Sequence, residues 1–209
     1  MVFDLDGVIV DSEPTHERAN AEVAAGLGVA VDAELAGAMM GRRVRELTDE
    51  LARRTGRAPE EVFAGREVVF WRLLEERPLA AMPGLRRALA RLAAAGLPLA
   101  VASSGTRRYV AHVLDGLGVR GFFGAVISGE DVVHGKPDPE IYLRAAKALR
   151  CDPAECAAIE DAPNGVAAAR RAGMYVVAVP HELTSAMDFA DADAVVADLG
   201  AAAAHLLGG

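Results

Sequence analysis

The sequence has 209 residues, 52% of them hydrophobic and 25% charged, with a net charge of −8. This is globular composition, long enough to bury roughly 70% of the unfolded surface without a staple, and its acidity argues against nucleic acid as a general partner. No apolar run reaches the length of a membrane span and no signal-type segment precedes the first strand, so no membrane partner is expected and the expected setting is the cytoplasm.

Residues 1–6, "MVFDLD", read as a short apolar strand. From about 15 to 80 the pattern is helical, with no convincing strand. Ala19, Val23, Ala24 and Leu27 keep helical spacing before Gly28, and Leu47 and Leu51 keep it before Gly56. Phe63, Val69, Phe70, Leu73 and Leu74 mark a further helix ending near Pro78. Pro83-Gly84 then starts "LRRALARLAAAG", an amphipathic helix closed by Gly96. After it "LPLAVASS" is a buried strand, 106–117 a helix, "GAVIS" a strand and 139–150 a helix. "CAAIED" is a strand, "NGVAAARRAG" a helix and "MYVVAV" a strand, and a last short strand and helix fill 193–207. Strands separated by helices of this length pair in parallel through right-handed crossovers.

Ligands of open α/β sheets bind at the carboxyl ends of the strands, so the last residues of each strand carry the chemistry. They are Asp4 and Asp6, Ser103 and Ser104, the loop "GEDVVHGKPDPE", and Glu160-Asp161. Asp4 and Asp6 are two apart and in an extended strand project to one side. A divalent cation would explain why like charges share this rim, and Glu160 and Asp161 add hard oxygen donors of the kind that suit Mg²⁺. A plain hairpin is the competing reading of "LDGVIV", with Gly7 starting a small flap beyond the acids. All basic residues except Lys136 and Lys147 are Arg, so a Lys in a glycine- and proline-rich loop points to a need for a compact ammonium. Cys151 and Cys156 form no CxxC pair and lie far in sequence from His112 and His134. They read as small apolar residues, not as a metal site or a disulfide framework.

These segments resemble the four motifs of the haloacid dehalogenase superfamily: "FDLDGVIVDSE", "VASS", "GKPDPEIY" and "IEDAPNG", in order along the chain. The helical block after the first motif is similar to the cap of the branch containing β-phosphoglucomutase and small sugar-phosphate phosphatases. The resemblance implies an α/β fold, a Rossmann-like doubly wound parallel sheet over 1–14 and 82–209, with an inserted all-helical cap over 15–81. It implies Asp4 as the nucleophile that forms an aspartyl-phosphate, and Asp6 as the acid and then the base. Mg²⁺ would be held by the Asp4 carboxylate, the Asp6 main-chain carbonyl and Asp161, with Glu160 contributing directly or through water. Ser103, with Ser104 beside it, and Lys136 would bind the transferring phosphoryl group. An aspartate at position 6 implies a phosphate ester as substrate, since a halide leaving group needs no proton.

His16 falls where mutases and many phosphatases of this branch also carry His, and it reads either as a substrate contact or cap gate, or as a partly exposed histidine at a helix start. Ser12 and Glu13 are expected to cap that helix. Arg42, Arg43 and Arg45 follow Gly41, and one of them is expected to meet the non-reacting end of an anionic substrate, against the alternative of a solvated face. Asp131 reads either as support for the metal or as a loop hydrogen-bond acceptor. Two positions depart from the pattern. Ala162 stands where many relatives have Ser, and Met40 stands where the mutases carry a Lys before the cap glycine. The expected function is a Mg²⁺-dependent phosphatase of a small phosphorylated metabolite, with a mutase as its first rival and a non-catalytic phospho-ligand-binding protein as its second.

Overall fold

The computed structural model describes residues 1–30, 32, 35, 44–76 and 79–208. It divides into two compact units, Met1–Asp11 with Leu79–Gly209, and Ser12–Pro78.

The first unit is built on a six-stranded parallel sheet in the order β5-β4-β1-β6-β7-β8. The strands are β1 (Val2–Phe3), β4 (Ala100–Ala102), β5 (Ala125–Ile127), β6 (Ala157–Glu160), β7 (Tyr175–Ala178) and β8 (Ala194–Val195). Apart from Glu160 at the end of β6 their residues are apolar on both faces, as a sheet covered by helices on each side requires. The helices are α4 (Leu85–Ala94), α5 (Arg107–Gly116), α6 (Glu140–Leu149), α7 (Pro163–Arg171) and α8 (Leu199–Leu206). Alanines such as Ala145, Ala146, Ala168 and Ala169 face the core and let α6 and α7 lie close to the sheet. β1 sits centrally, with Phe3 paired to Val101 on one side and to Ile159 on the other.

The first strand is shorter than the expected 1–6. It ends at Phe3, because the Leu5 carbonyl accepts the N–H groups of Ile9 and Val10 and turns the chain. Gly7 takes φ +74° inside this turn. The residues beyond it form β2 (Val10–Asp11), which pairs antiparallel with β3 (Ala80–Ala81) instead of closing a local hairpin. β3 falls at the very end of the stretch, about 15 to 80, expected to hold no strand, and an Ala-Ala pair is too short to show a period.

The second unit holds three described helices, α1 (Glu13–Gly26), α2 (Val44–Thr55) and α3 (Pro59–Glu76). Their shared core includes Val23, Ala24, Leu35, Leu47, Leu51 and Val62. Each fully buried Leu or Val of this kind is worth about 1.5–3 kcal/mol. Ser12 occupies the N-cap position of α1 but makes no side-chain cap hydrogen bond, its backbone being already helical at φ −91°, ψ −15°. The cap expected of Ser12 with Glu13 is therefore not made by the Ser12 side chain. The buried face of α3 also differs from the expected one. Val62, Arg66, Phe70, Leu73 and Leu74 point inward, while Phe63 and Val69 are half-buried. No described helix is long and apolar enough to cross a membrane.

Candidate active site

The carboxyl ends of β1, β4 and β6 and the loop after β5 supply the site. Because Phe3 pairs with both Val101 and Ile159, Asp4 emerges between the ends of β4 and β6, and its N–H donates to the Ile159 carbonyl at 3.0 Å. The Lys136 Nζ donates to Asp4 Oδ1 at 2.5 Å and to Glu160 Oε1 at 2.6 Å. Tyr142 of α6 donates its hydroxyl to the same Glu160 oxygen at 2.6 Å. Glu160 Oε2 accepts the backbone N–H groups of Asp161 and Ala162 at 3.1 and 3.3 Å. Asp4, Glu160 and Asp161 are all buried, and the three offer oxygens within 4.8 Å of one another.

Charge decides what this arrangement can hold. Three carboxylates face one ammonium, so the fully ionised cluster carries an excess of two negative charges in a place with little water. Burial pushes the Asp4 carboxyl well above its usual range; Lys136 opposes that shift, and the charges of Glu160, Asp161 and Asp6 add to it. Burial also raises Asp161, against a hydrogen bond from His181. Burial alone would lower the Lys136 ammonium, but Asp4 and Glu160 hold it well above the ordinary lysine value. A divalent cation on these hard oxygens would balance the excess and favour the ionised carboxylates, so the donor set fits Mg²⁺ in both charge and chemistry.

Two glycines make the approach possible. A Cβ on Gly7 would stand 2.3 Å from Asp161 Oδ2, and one on Gly165 would stand 1.7 Å from Glu160 Oε1. Both distances are far inside van der Waals contact, so neither position accepts a side chain unless an acid moves.

Asp6 has its carboxylate elsewhere than the other three acids: Oδ1 accepts the hydroxyl of Tyr109 at 2.6 Å. Ser103 is fully buried, with its Oγ accepting the N–H of Gly105 at 3.0 Å, whereas Ser104 is exposed. Asp131 acts in the loop. Its Oδ2 accepts both the N–H and the hydroxyl of Ser128, at 2.8 and 2.6 Å, and its Oδ1 pairs with Arg107 at 2.7 Å. Of the two readings open for Asp131, the loop acceptor is the one the contacts match.

The remaining candidates belong to the helical unit. His16 stacks on Phe70 at 4.4 Å between ring centroids, and its Nδ1 lies 2.6 Å from the Arg66 guanidinium. Arg45 is exposed on α2, with its guanidinium 4.6 Å from the Phe63 ring centroid. Arg43 lies outside the described residues, as do Met40, Gly41 and Arg42.

The family model for haloacid dehalogenase-like hydrolases matches residues 1–173. The chain belongs to this family. It is 35% identical to the validoxylamine A 7'-phosphate phosphatase of Streptomyces hygroscopicus subsp. limoneus, over 95% of this chain and 92% of that protein. It is 30% identical to the β-phosphoglucomutase of Bacillus subtilis, over 86% and 82%. Hexitol phosphatase B of Escherichia coli and a phosphatase of phosphorylated carbohydrates from Thermotoga maritima are further relatives. Among solved structures, CbbY of Rhodobacter sphaeroides in complex with phosphate superposes with a TM-score of 0.77 at 29% identity, covering 95% of this chain and 93% of that one.

In this haloacid dehalogenase-like hydrolase the pattern of motifs missed three side chains on the acids. Tyr142 sits inside the third motif as the last letter of "GKPDPEIY", so the signal was present but unread. Tyr109 and His181 carried none. His181 Nε2 lies 3.1 Å from Asp161 Oδ2 across 20 residues, and Tyr109 reaches Asp6 across 103.

Proposed function

We propose that this enzyme is a Mg²⁺-dependent phosphatase of a small phosphorylated metabolite, a sugar phosphate, working through an aspartyl-phosphate on Asp4. The chain is a phosphoric monoester hydrolase. The observation that carries the finer reading is the buried ammonium of Lys136 on Asp4 Oδ1 and Glu160 Oε1, with Asp161 close by. A ligand-binding protein would have no use for a buried carboxylate aimed by a lysine beside a second aspartate on a separate hydrogen bond.

In the first half-reaction an Asp4 oxygen forms a bond to phosphorus as the bridging P–O bond breaks. Asp6, in its acid form, gives its proton to the departing oxygen and leaves it an alcohol. In the second half, water gives a proton to the Asp6 carboxylate and attacks phosphorus. That releases inorganic phosphate and the Asp4 carboxylate. Splitting one difficult displacement into two is the gain from a covalent nucleophile, and the acid–base help is typically worth about 10²–10⁴-fold. Lys136 orients Asp4 and, with Ser103, meets the charge on the phosphoryl oxygens, where positioning and electrostatics supply most of the catalysis. Asp4, Glu160 and Asp161, with the Asp6 main-chain carbonyl, would hold Mg²⁺, which supplies charge neutralisation and alignment. The reading includes a cytoplasmic setting and a small metabolite as partner; the net charge of −8 supports the exclusion of nucleic acid.

A second reading, a phosphosugar mutase, is favoured by the likeness to a β-phosphoglucomutase. Against it stands Met40, since a thioether supplies no charge for the phosphate that is not reacting. Phosphate release from a panel of sugar and sugar-alcohol phosphates with Mg²⁺, run beside a coupled assay for glucose 6-phosphate from β-glucose 1-phosphate, tests both. Release of phosphate as the dominant product supports the phosphatase. Isomerisation faster than hydrolysis overturns it.

A further inference from the structure

We infer that Tyr109 is a positioning residue for the acid–base group, holding the Asp6 carboxylate in the orientation from which it exchanges its proton. The inference rests on the role proposed above for Asp6.

The tyrosine is built into its place from several sides. It lies in the first turn of α5, where its N–H donates to the N-cap hydroxyl of Thr106 at 3.3 Å, so the helix start sets where the ring begins. The residue is only 7% exposed, so its ring is a packed body and not a surface group. Gly105 lets it pass: a Cβ there would stand 2.7 Å from Tyr109 Cδ1. The same glycine donates its N–H to Ser103 Oγ at 3.0 Å, tying the turn that seats the ring to the end of β4. From this seat the hydroxyl reaches Asp6 Oδ1 at 2.6 Å, a short contact typical of O–H to a carboxylate.

The chemistry distinguishes Asp6 from its neighbours. Asp4 is oriented by Lys136 and Glu160 by Lys136, Tyr142 and two backbone N–H groups. On Asp6 Oδ1 the donor is the neutral Tyr109 hydroxyl, which fixes that oxygen without itself adding charge. A general acid must reach the leaving oxygen with one oxygen while the other is held, and a free rotor spends part of its time turned away. With the tyrosine hydroxyl held on Oδ1, the exchanged proton would travel on Oδ2. None of the four motif segments, "FDLDGVIVDSE", "VASS", "GKPDPEIY" and "IEDAPNG", includes residue 109.

The test compares Tyr109→Phe with the parent and with Asp6→Asn on aryl phosphates of graded leaving-group acidity, from 4-nitrophenyl to phenyl to 4-methoxyphenyl phosphate. A good leaving group needs no proton, so loss of acid catalysis is selective for the poor ones. Tyr109→Phe keeps the ring and its packing. It is expected to leave kcat/KM for 4-nitrophenyl phosphate, which reports only the steps up to the aspartyl-phosphate, within about twofold while lowering kcat/KM for 4-methoxyphenyl phosphate on the order of ten- to a hundredfold, steepening the series in the same sense as Asp6→Asn. Gly105→Ala, which displaces the ring but keeps the hydroxyl, is expected to steepen it as well. An equal loss across the series means a merely structural tyrosine and overturns the inference, as does no loss or a gain. A flat response in Tyr109→Phe with a steep one in Asp6→Asn overturns the positioning alone. A flat response in both variants overturns the acid–base role of Asp6 together with it.

Discussion

Among the described residues each unit encloses a long cation, Lys136 in one and Arg66 in the other, and the two are satisfied in opposite ways. In the sheet unit Lys136 is held by the carboxylates of Asp4 and Glu160, with Asp161 nearby, so negative charge outnumbers positive. In the helical unit Arg66, 1% exposed, donates to the neutral Asn20 Oδ1 at 3.2 Å and to His16 Nδ1 at 2.6 Å, and pairs at 3.1 Å with a partly exposed Glu67. Its guanidinium also lies 4.8 Å from the Phe70 ring centroid. A buried cation among neutral acceptors and one acid is electrostatically closed and asks for nothing more. A buried ammonium among three carboxylates is left two negative charges in excess, and such an excess is tolerated where function uses it. The difference separates a cation that supports the fold from a cluster whose excess charge suits the cation and reacting group of the proposed function.

Several variants break or sharpen that contrast. The largest effect belongs to Asp4→Asn, which removes the proposed nucleophile and should lower phosphate release by about 10³-fold or more, with no phosphoenzyme trapped by acid quench. Near-normal turnover after removal of contaminating phosphatases would end the covalent reading. Lys136→Arg keeps the charge but puts a longer planar fork where one nitrogen serves two carboxylates at 2.5 and 2.6 Å. A fall of about 10²-fold in kcat with an unchanged unfolding midpoint is expected, and full activity would mean that only positive charge matters there.

Arg66→Met tests the other cation. It removes the donor shared by Asn20 and His16 and should cost about 2–5 kcal/mol in urea unfolding, whereas a change below 0.5 kcal/mol would show that the buried arginine is dispensable. Mg²⁺ should act only on the excess-negative site. At about 100 times its dissociation constant it should stabilise the protein by about 2.7 kcal/mol, raise the thermal midpoint and restore activity lost in chelator. Asp161→Asn should lose most of that shift, and full turnover in chelator would sink the metal assignment. The smallest effect is at a surface cluster of three charges on α2. Arg53 and Arg54 hold Glu50 down at about 2, so its contribution is present above the unfolded value of 4.5 and fades as pH falls from there toward 2. Glu50→Gln should flatten the acid limb of a stability-against-pH curve slightly and leave pH 7 activity untouched.

The alternation of apolar strands and helices after residue 84 was legible because a parallel sheet needs helices between its strands, and both periods repeat over enough residues to be seen. So was the gathering of Asp4, Lys136, Glu160 and Asp161. The carboxyl ends of parallel strands share one rim, where Asp4, Glu160 and Asp161 sit at or just beyond strand ends, and Lys136 comes to them from the loop after β5. The helix α3 was legible from Phe63, Val69, Phe70, Leu73 and Leu74, but the place of Arg66 on its buried face was not, for a physical reason. A period count scores Phe63 as core and Arg66 as surface, and does not know that Asn20, His16 and Phe70 from the same unit would receive a guanidinium.

The sequence by itself determined the kind of chemistry available, since hard oxygens, a lone lysine and two hydroxyls arrive in four ordered segments, and it determined the sheet that brings those segments together. Only the tertiary structure decided the partners that aim them: Tyr109 on Asp6, Tyr142 on Glu160, His181 on Asp161, and the β2–β3 ribbon that joins Val10 to Ala81. The reason is one of range. Periodicity and strand-end rules act over a turn or a strand, whereas a hydrogen bond between residues 103 positions apart is fixed by how a helix start, a glycine and a turn stack beside a strand end. No local pattern encodes that stacking; it arises from packing against the whole core.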